Sequence, residues 1–283
     1  MTKLQPWKSG TASAVDLTDE QYFAEYNQFM SAHNLQTFRH SPMAFKRKQS
    51  GEVVRQSSAA YAFGTAAHHL VLEGPDVFHA NYSVGGGPVN PKTDKPYGAS
   101  TNRYKEWLAE LAKAGKEPIS ESDYYKIGCM NNHIHNHPTA APLFETGKPE
   151  VAIRGHLYDV KSQSKIDWLD EKNKRIVDLK TCAELGSKHT SHFPCKFAKD
   201  AQYFGYFQQL AFYRSMVAAL TGENYEVFIV AVEKTEPFEV GVFRLSKSTL
   251  DGAEEQNRNT LTEYKACLEA GDWPSRFNET ITL

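Results

Sequence analysis

Residues 165–180, from Lys165 to Lys180, read KIDWLDEKNKRIVDLK. Two runs of β-type residues, 165–169 and 175–180, flank the polar cluster Asp170-Glu171-Lys172-Asn173-Lys174, which is the pattern of a β-hairpin. With Glu171 to Lys174 as the loop, Asp170 faces Arg175 and, counting back, Asp167 faces Asp178. Strand side chains alternate between faces with period two, so Asp178 and Lys180 point the same way. The register therefore crowds two carboxylates and an ammonium onto one patch of sheet. Like charges directly opposite destabilise a sheet, and a chain optimised only for folding has little reason to pair them. A hard divalent cation removes the conflict, because Mg²⁺ is held by one or two carboxylates together with waters and a phosphate oxygen. On the hairpin alone, the alternative is that both aspartates merely solvate its end, with the register one residue off.

Four further stretches extend the pattern. Residues 59–73 read as a buried helix stopped by Gly74-Pro75, and within it lie Phe63-Gly64-Thr65-Ala66-Ala67-His68 and then His69. Glu150 stands just before a β-type run at 151–160. Asp178 sits inside Ile176-Val177-Asp178-Leu179-Lys180-Thr181, and Tyr206-Phe207-Gln208-Gln209 follows on a long helical stretch. In this order the elements resemble the PD-(D/E)XK nuclease superfamily. The match is to its RecB-like branch, with G-x-x-x-H, a glutamate before the core strands, D…(D/E)-x-K and Y-x-x-Q. Order and spacing are most similar to the exonuclease VIII (RecE)-type phage exonucleases, over residues 41–213.

The resemblance implies a 5′→3′ exonuclease acting on double-stranded DNA ends and leaving 3′ overhangs for a single-strand annealing partner. It implies Mg²⁺, with Mn²⁺ as a substitute, held by His68, Asp167, Asp178 and the backbone carbonyl of Leu179. Glu150 would bind or orient a second ion, Lys180 the attacking water, and Tyr206 and Gln209 the scissile phosphate or the network around the nucleophile. Two alternatives stay open: a structure-specific or restriction-type endonuclease of the same superfamily, and a non-catalytic DNA-end-binding module. Exonucleases of the resembled type are closed rings, so a homo-oligomer, trimer or tetramer, is expected.

Composition bounds these readings. The chain has 283 residues, enough for one large domain with a helical arm. Its formal charge is −2, from 32 basic and 34 acidic residues, so any nucleic-acid contact must come from local clusters. Candidates are Lys46, Arg47 and Lys48 on a helix opened by Ser41-Pro42, Lys95 and Arg103 in the Gly- and Pro-rich loop 83–103, and Lys188. A solvated helix face explains the first cluster equally simply, and a mobile loop the second. Cys129, Cys182, Cys195 and Cys267 have no C-x-x-C spacing and do not match the four-cysteine iron–sulfur pattern of some relatives. Reduced thiols, no membrane span, and a cytoplasmic location (the bacterial host cell, if phage-encoded) are expected. His133, His135 and His137 read as structural, because Pro138 ends their helix.

The expected fold is α/β, a mixed central sheet flanked by helices, with an N-terminal helical extension. Residues 1–14 read as a loose tail. Residues 15–145 form the helical part with the histidine helix and the 83–103 loop, and 146–283 form the core sheet and helices, continuous with 59–73. Strands are expected at 151–160, 164–169, 175–180, 225–234 and 238–245, and helices at 101–114, 120–136, 200–220 and 248–270. On the 200–220 helix, Gln202, Tyr206, Gln209 and Tyr213 would share one face.

Overall fold

The hairpin forms in the expected register. Asp170 pairs with Arg175, Leu169 with Ile176 and Trp168 with Val177, around a turn at Glu171–Lys174. The computed structural model describes residues 12–25, 28–53, 59–186, 194–278 and 280.

In chain order, β1 (Ala12–Val15) is followed by helices α1 (Asp19–Ala24), α2 (Ala32–His40), α3 (Pro42–Gln49) and α4 (Ala59–His68), the last continuing as a π-helical turn, His69–Glu73. Then come α5 (Pro75–Asn81), β2 (Tyr82–Val84), β3 (Val89–Asn90), β4 (Lys95–Pro96), α6 (Asn102–Lys113), β5 (Glu117–Ile119) and α7 (Glu121–His135). The core follows as β6 (Lys148–Leu157), β7 (Val160–Asp170), β8 (Arg175–Cys182), α8 (Lys196–Tyr203), α9 (Tyr206–Thr221), β9 (Glu226–Glu233), β10 (Val240–Arg244) and α10 (Lys247–Ala270).

Six strands make one mixed sheet in the order β1-β6-β7-β8-β9-β10. Only β8 and β9 run parallel; the other pairs are antiparallel. Alternation along β8 feeds two cores. Ile176, with Val227 and Ile229 of β9, packs under α9, α10 and α2, while Val177 and Leu179, with Val230 and Val232, pack against α4 and α7. A strand buried on both faces is the reason its sequence reads as a near-continuous apolar run broken by Asp178. Among the described residues, the four cysteines are free thiols and no helix is long and apolar enough to cross a membrane.

Several expectations are corrected. The tail expected at 1–14 ends earlier, because Ala12–Val15 pairs antiparallel with Ala152–Gly155 as the sheet's edge; residues 1–11 lie outside the described residues. The boundary between the first two core strands is not at 160–164 but at Tyr158 and Asp159. Both have positive φ (50° and 64°), the backbone of a two-residue hairpin turn, and Leu157 pairs with Val160. A helix the sequence reading did not assign, α2, is capped by the Ser31 hydroxyl, which accepts from Asn34 N. The 83–103 segment carries structure of its own: β3 pairs with β4, and β2 pairs in parallel with β5. Finally, the helix expected at 200–220 is two helices. Gly205, in the left-handed region at φ 75°, separates α8 from α9, which leaves Gln202 exposed and off the Tyr206–Gln209–Tyr213 face.

Buried Asp170 anchors the turn. Its Oδ1 accepts from Asn173 N (3.0 Å), and its Oδ2 from Thr146 Oγ1 and Asn173 Nδ2 (both 2.7 Å). Burial alone would raise its pKa, but these hydrogen bonds outweigh that and hold it below the ordinary value. Asp170→Ala should therefore destabilise the protein by about 3 kcal/mol, read from the urea midpoint at neutral pH, since hydrogen bonds to a charged group contribute about 1.5–3 kcal/mol each and do not add fully. A depressed folded pKa gives stability that is present above the unfolded value of about 3.9 and is lost as pH falls through the folded value. The gap between parent and variant should thus narrow below about pH 4; a gap unchanged at pH 3 would contradict the assignment.

Candidate metal centre

Three carboxylates stand abreast on three neighbouring strands. Counted by register, Asp167 on β7 lies opposite Glu150 on β6 and Asp178 on β8, and at this row both ladders are interrupted. Glu150 has φ 54°, an uncommon conformation for a residue with a side chain, and sits between the pairs Pro149–Trp168 and Val151–Ile166. Ile166 and Leu169 pack into the same core layer although they are three residues apart, so the pleat breaks at Asp167. Past Trp168–Val177 the β7–β8 ladder gives way to a side-chain bond, with Leu179 N donating to Asp167 Oδ2 at 2.9 Å. Backbone strain of this kind, held in place by surrounding structure, collects at functional sites.

α4 brings His68 to this row. Its Nδ1 lies 3.6 Å from Asp167 Oδ2 and 4.0 Å from Glu150 Oε1. The helix widens to the π form directly after it, a distortion common at functional sites, and His69 turns instead toward Glu73 at 3.7 Å. Two lysines interleave with the acids. Lys180 Nζ is 2.7 Å from Asp178 Oδ2, and Lys165 Nζ is 2.6 Å from Glu150 Oε2. Behind Lys180 stands the ring of Tyr206, 4.9 Å from Nζ to the centroid, and deeper on α9 Gln209 Nε2 donates to Tyr213 Oη at 2.9 Å. His68, Glu150, Asp167, Lys165, Lys180, Tyr206, Gln209 and Tyr213 all line one cleft of about 550 Å³, with Asp178 buried beneath it.

The electrostatics follow from burial in a row of like charges. Burial pushes Asp178 up to about 6; the Lys180 ammonium opposes this and the Asp167 charge adds to it. Asp167 and Glu150 are raised for the same reason, Glu150 also by the Asp167 charge, with Lys180 and the Leu179 N–H opposing at Asp167 and Lys165 opposing at Glu150. Burial pushes His68 down, toward the neutral imidazole that ligates metals. Burial also works to lower Lys180, but the Asp178 and Asp167 charges outweigh it and raise the pKa above its ordinary value. In the metal-free protein Lys180 is thus held as an ammonium beside the two carboxylates.

The donor set fits a hard divalent cation. His68, Glu150 and Asp167 each offer one ligand atom within 4.8 Å of the others. Neither oxygen of buried Asp178 has an aligned hydrogen-bond donor among the described residues, so the Lys180 contact is a close ion pair that leaves acceptor capacity unused. The resemblance placed Asp178 and the Leu179 carbonyl in the ligand set and Glu150 at a second ion. In the structure Glu150 stands in the cluster itself.

The basic candidates disperse. Lys46 sits over the Trp273 ring at 5.2 Å, Arg47 pairs with Glu52 at 3.1 Å, and Arg103 with Glu106 at 3.4 Å. Lys48 contacts His33, which lines the cleft, at 3.0 Å; Lys95 is exposed on β4; Lys188 lies outside the described residues. Lys165 was missed by the sequence reading. It stands two residues before Asp167 as Lys180 stands two after Asp178, and that symmetry was visible in the hairpin.

Comparison with known proteins gives this geometry its family. The pattern of a family described as a PDDEXK-like domain of unknown function, DUF3799, matches residues 31–281. The chain belongs to this family. Of the acidic row, Asp167 and Asp178 lie on the two hairpin strands, whereas Glu150, expected just before its strand, lies within β6. A solved structure of a candidate exonuclease from Eubacterium rectale shares the fold at TM-score 0.64 and 18% identity, covering 95% of this chain and 96% of that one. A second, SSO0001, aligns at TM-score 0.26 and 15% identity over 62% of this chain and 81% of its own, too distant to carry an argument. No curated protein matches.

Proposed function

We propose that this chain is a metal-dependent deoxyribonuclease that digests double-stranded DNA from its ends, 5′ to 3′, leaving 3′ single-stranded overhangs. The observation that carries hydrolysis is the row Glu150–Asp167–Asp178 facing His68, with Lys165 and Lys180 interleaved. A Mg²⁺ or Mn²⁺ ion held by His68, Glu150, Asp167 and Asp178, with the Leu179 carbonyl, would acidify a water and neutralise phosphoryl oxygens. Lys180, an ammonium in the cleft, offsets negative charge developing on the phosphate. Lys165 holds the Glu150 carboxylate against the ligand row, and Tyr206 backs Lys180 so that the ammonium stays directed at the acids.

End-directed digestion and its polarity rest on the similarity of the motifs to RecE-type exonucleases, and so does the place of the product in phage-type recombination, passed to a single-strand annealing protein. The same similarity supports a closed trimer or tetramer. A chain of net charge −2 has little non-specific grip on DNA, and a ring supplies processivity by topology instead.

The test uses linear duplex labelled at the 5′ or the 3′ end, covalently closed circles as control, an unlabelled-DNA trap added mid-reaction, and sedimentation. The expected result is early release of the 5′ label, intact circles, digestion that continues past the trap, and a trimeric or tetrameric mass. Cut circles would turn the reading to an endonuclease. A monomer halted at once by the trap would remove the ring.

A further inference from the structure

The break between α8 and α9 puts a graded series of aromatic rings at the cleft. Tyr206, half-buried, backs Lys180. The Phe204 ring lies 5.9 Å from it at 32°, is 51% exposed and lines the same cleft. Tyr203 follows, 5.3 Å from Phe204 at 75° and 81% exposed. The series runs from the catalytic ammonium outward to solvent.

The break is built, not incidental. Gly205 reverses the chain at φ 75°, and Gln36 Nε2 donates to the Phe204 carbonyl at 2.8 Å, tying the turn to α2 across the cleft wall. The φ of 75° at residue 205 is a conformation that favours glycine, and a Cβ there would also displace the Gln36 amide, 2.8 Å away. The chain is helical on both sides of Gly205, over Lys196–Tyr203 and Tyr206–Thr221. The helical run is interrupted at a point that holds two large apolar rings in water, and fully burying one such side chain would contribute about 1.5–3 kcal/mol.

We propose that Tyr203, Phe204 and Tyr206 form a stacking track for the unpaired bases of a single DNA strand whose phosphate enters the cleft, an inference that rests on the nuclease reading. Rings continuous with a phosphodiester site meet bases as their natural partner. Paired bases inside a duplex offer no free face, so the ligand is the frayed end of the strand being cut. Stacking is tolerant of sequence, because every base has a π-face, and it contributes about 1–3 kcal/mol per base. It also depends little on positive charge, which this chain does not have in excess.

The test is equilibrium binding of the full chain, with Ca²⁺ in place of Mg²⁺, to a 12-nucleotide single strand, the same strand carrying abasic sites at every second position, and a blunt duplex. The expected result is that Tyr203→Ala with Phe204→Ala weakens single-strand binding by about 10- to 100-fold, that Phe204→Trp retains it, and that the abasic strand binds the parent as weakly as the intact strand binds the double variant. Single-strand affinity unchanged in the double variant would overturn the track; a simultaneous drop in oligomeric mass would assign the rings to a subunit contact. The nuclease reading fails separately. A parent that binds strands in an abasic-sensitive way but never hydrolyses them keeps the track and loses the enzyme.

Discussion

Asp178→Asn is expected to abolish DNA hydrolysis and, in the same molecule, to stabilise the metal-free protein. The first effect follows from the acidic row. Asp178 is buried with the Lys180 ammonium 2.7 Å from its Oδ2 and no donor on Oδ1 among the described residues, and removing its charge removes one anchor for the cation. A loss of about a thousandfold or more, roughly 4 kcal/mol of barrier, is expected. The second effect follows from burial. Asp178 holds its proton up to about pH 6, against about 3.9 in an unfolded chain. Between those values the native state binds more protons than the unfolded state, so its stability falls as pH rises. Above pH 6 the penalty is complete, on the order of 2–3 kcal/mol, and asparagine does not carry it. Melting of the metal-free proteins from pH 4 to pH 8 should show the parent losing ground to the variant across that window. Added Mg²⁺ should recover stability in the parent and much less in the variant, since only binding to the native state stabilises it. A variant that still degrades DNA within about tenfold of the parent would show that Asp178 is no ligand.

The parts of this site legible in the sequence were those fixed by local chemistry. The 171–174 turn set the register, and alternation from it placed Asp178 and Lys180 together, as the 2.7 Å ion pair bears out. Ser41-Pro42, Thr101 and Ser120 marked helix starts because their hydroxyls cap the helices that follow. What was not legible depends on distant partners. Ala12–Val15 is too short and too polar to signal a strand, and becomes one only because β6 offers it an edge. Gly205 was read through because the helical period continues on both sides of it. The turn there is tied to Gln36, whose amide donates to the Phe204 carbonyl from 168 positions earlier in the chain. The positive φ of Glu150 has no sequence signature, yet it falls where the β6–β7 ladder is interrupted and Glu150 joins Asp167 and His68 in one cluster.

Lys180→Ala should separate catalysis from metal binding. Lys180 is raised in pKa by Asp178 and Asp167, so at neutral pH it contributes a fixed positive charge beside the acids, with the Tyr206 ring behind it. A charge placed where negative charge develops in a low-dielectric cleft acts chiefly on the transition state, and losing one such donor typically costs about 10²–10³ in rate. Removing it also relieves two carboxylates of a competing cation, so a divalent ion should bind the variant at least as tightly as the parent. Asp167→Ala should do the reverse. Asp167 lies at the centre of the row, within 3.6 Å of His68, and its loss dissolves the cluster. Calorimetric titration with Ca²⁺ separates the cases: heat of binding kept in Lys180→Ala, lost in Asp167→Ala, with both inactive. Lys180→Arg, which keeps the charge but spreads it over a planar fork, should recover part of the rate. Equal loss of ion binding in Lys180→Ala and Asp167→Ala would mean that the lysine builds the metal site instead of serving the reaction.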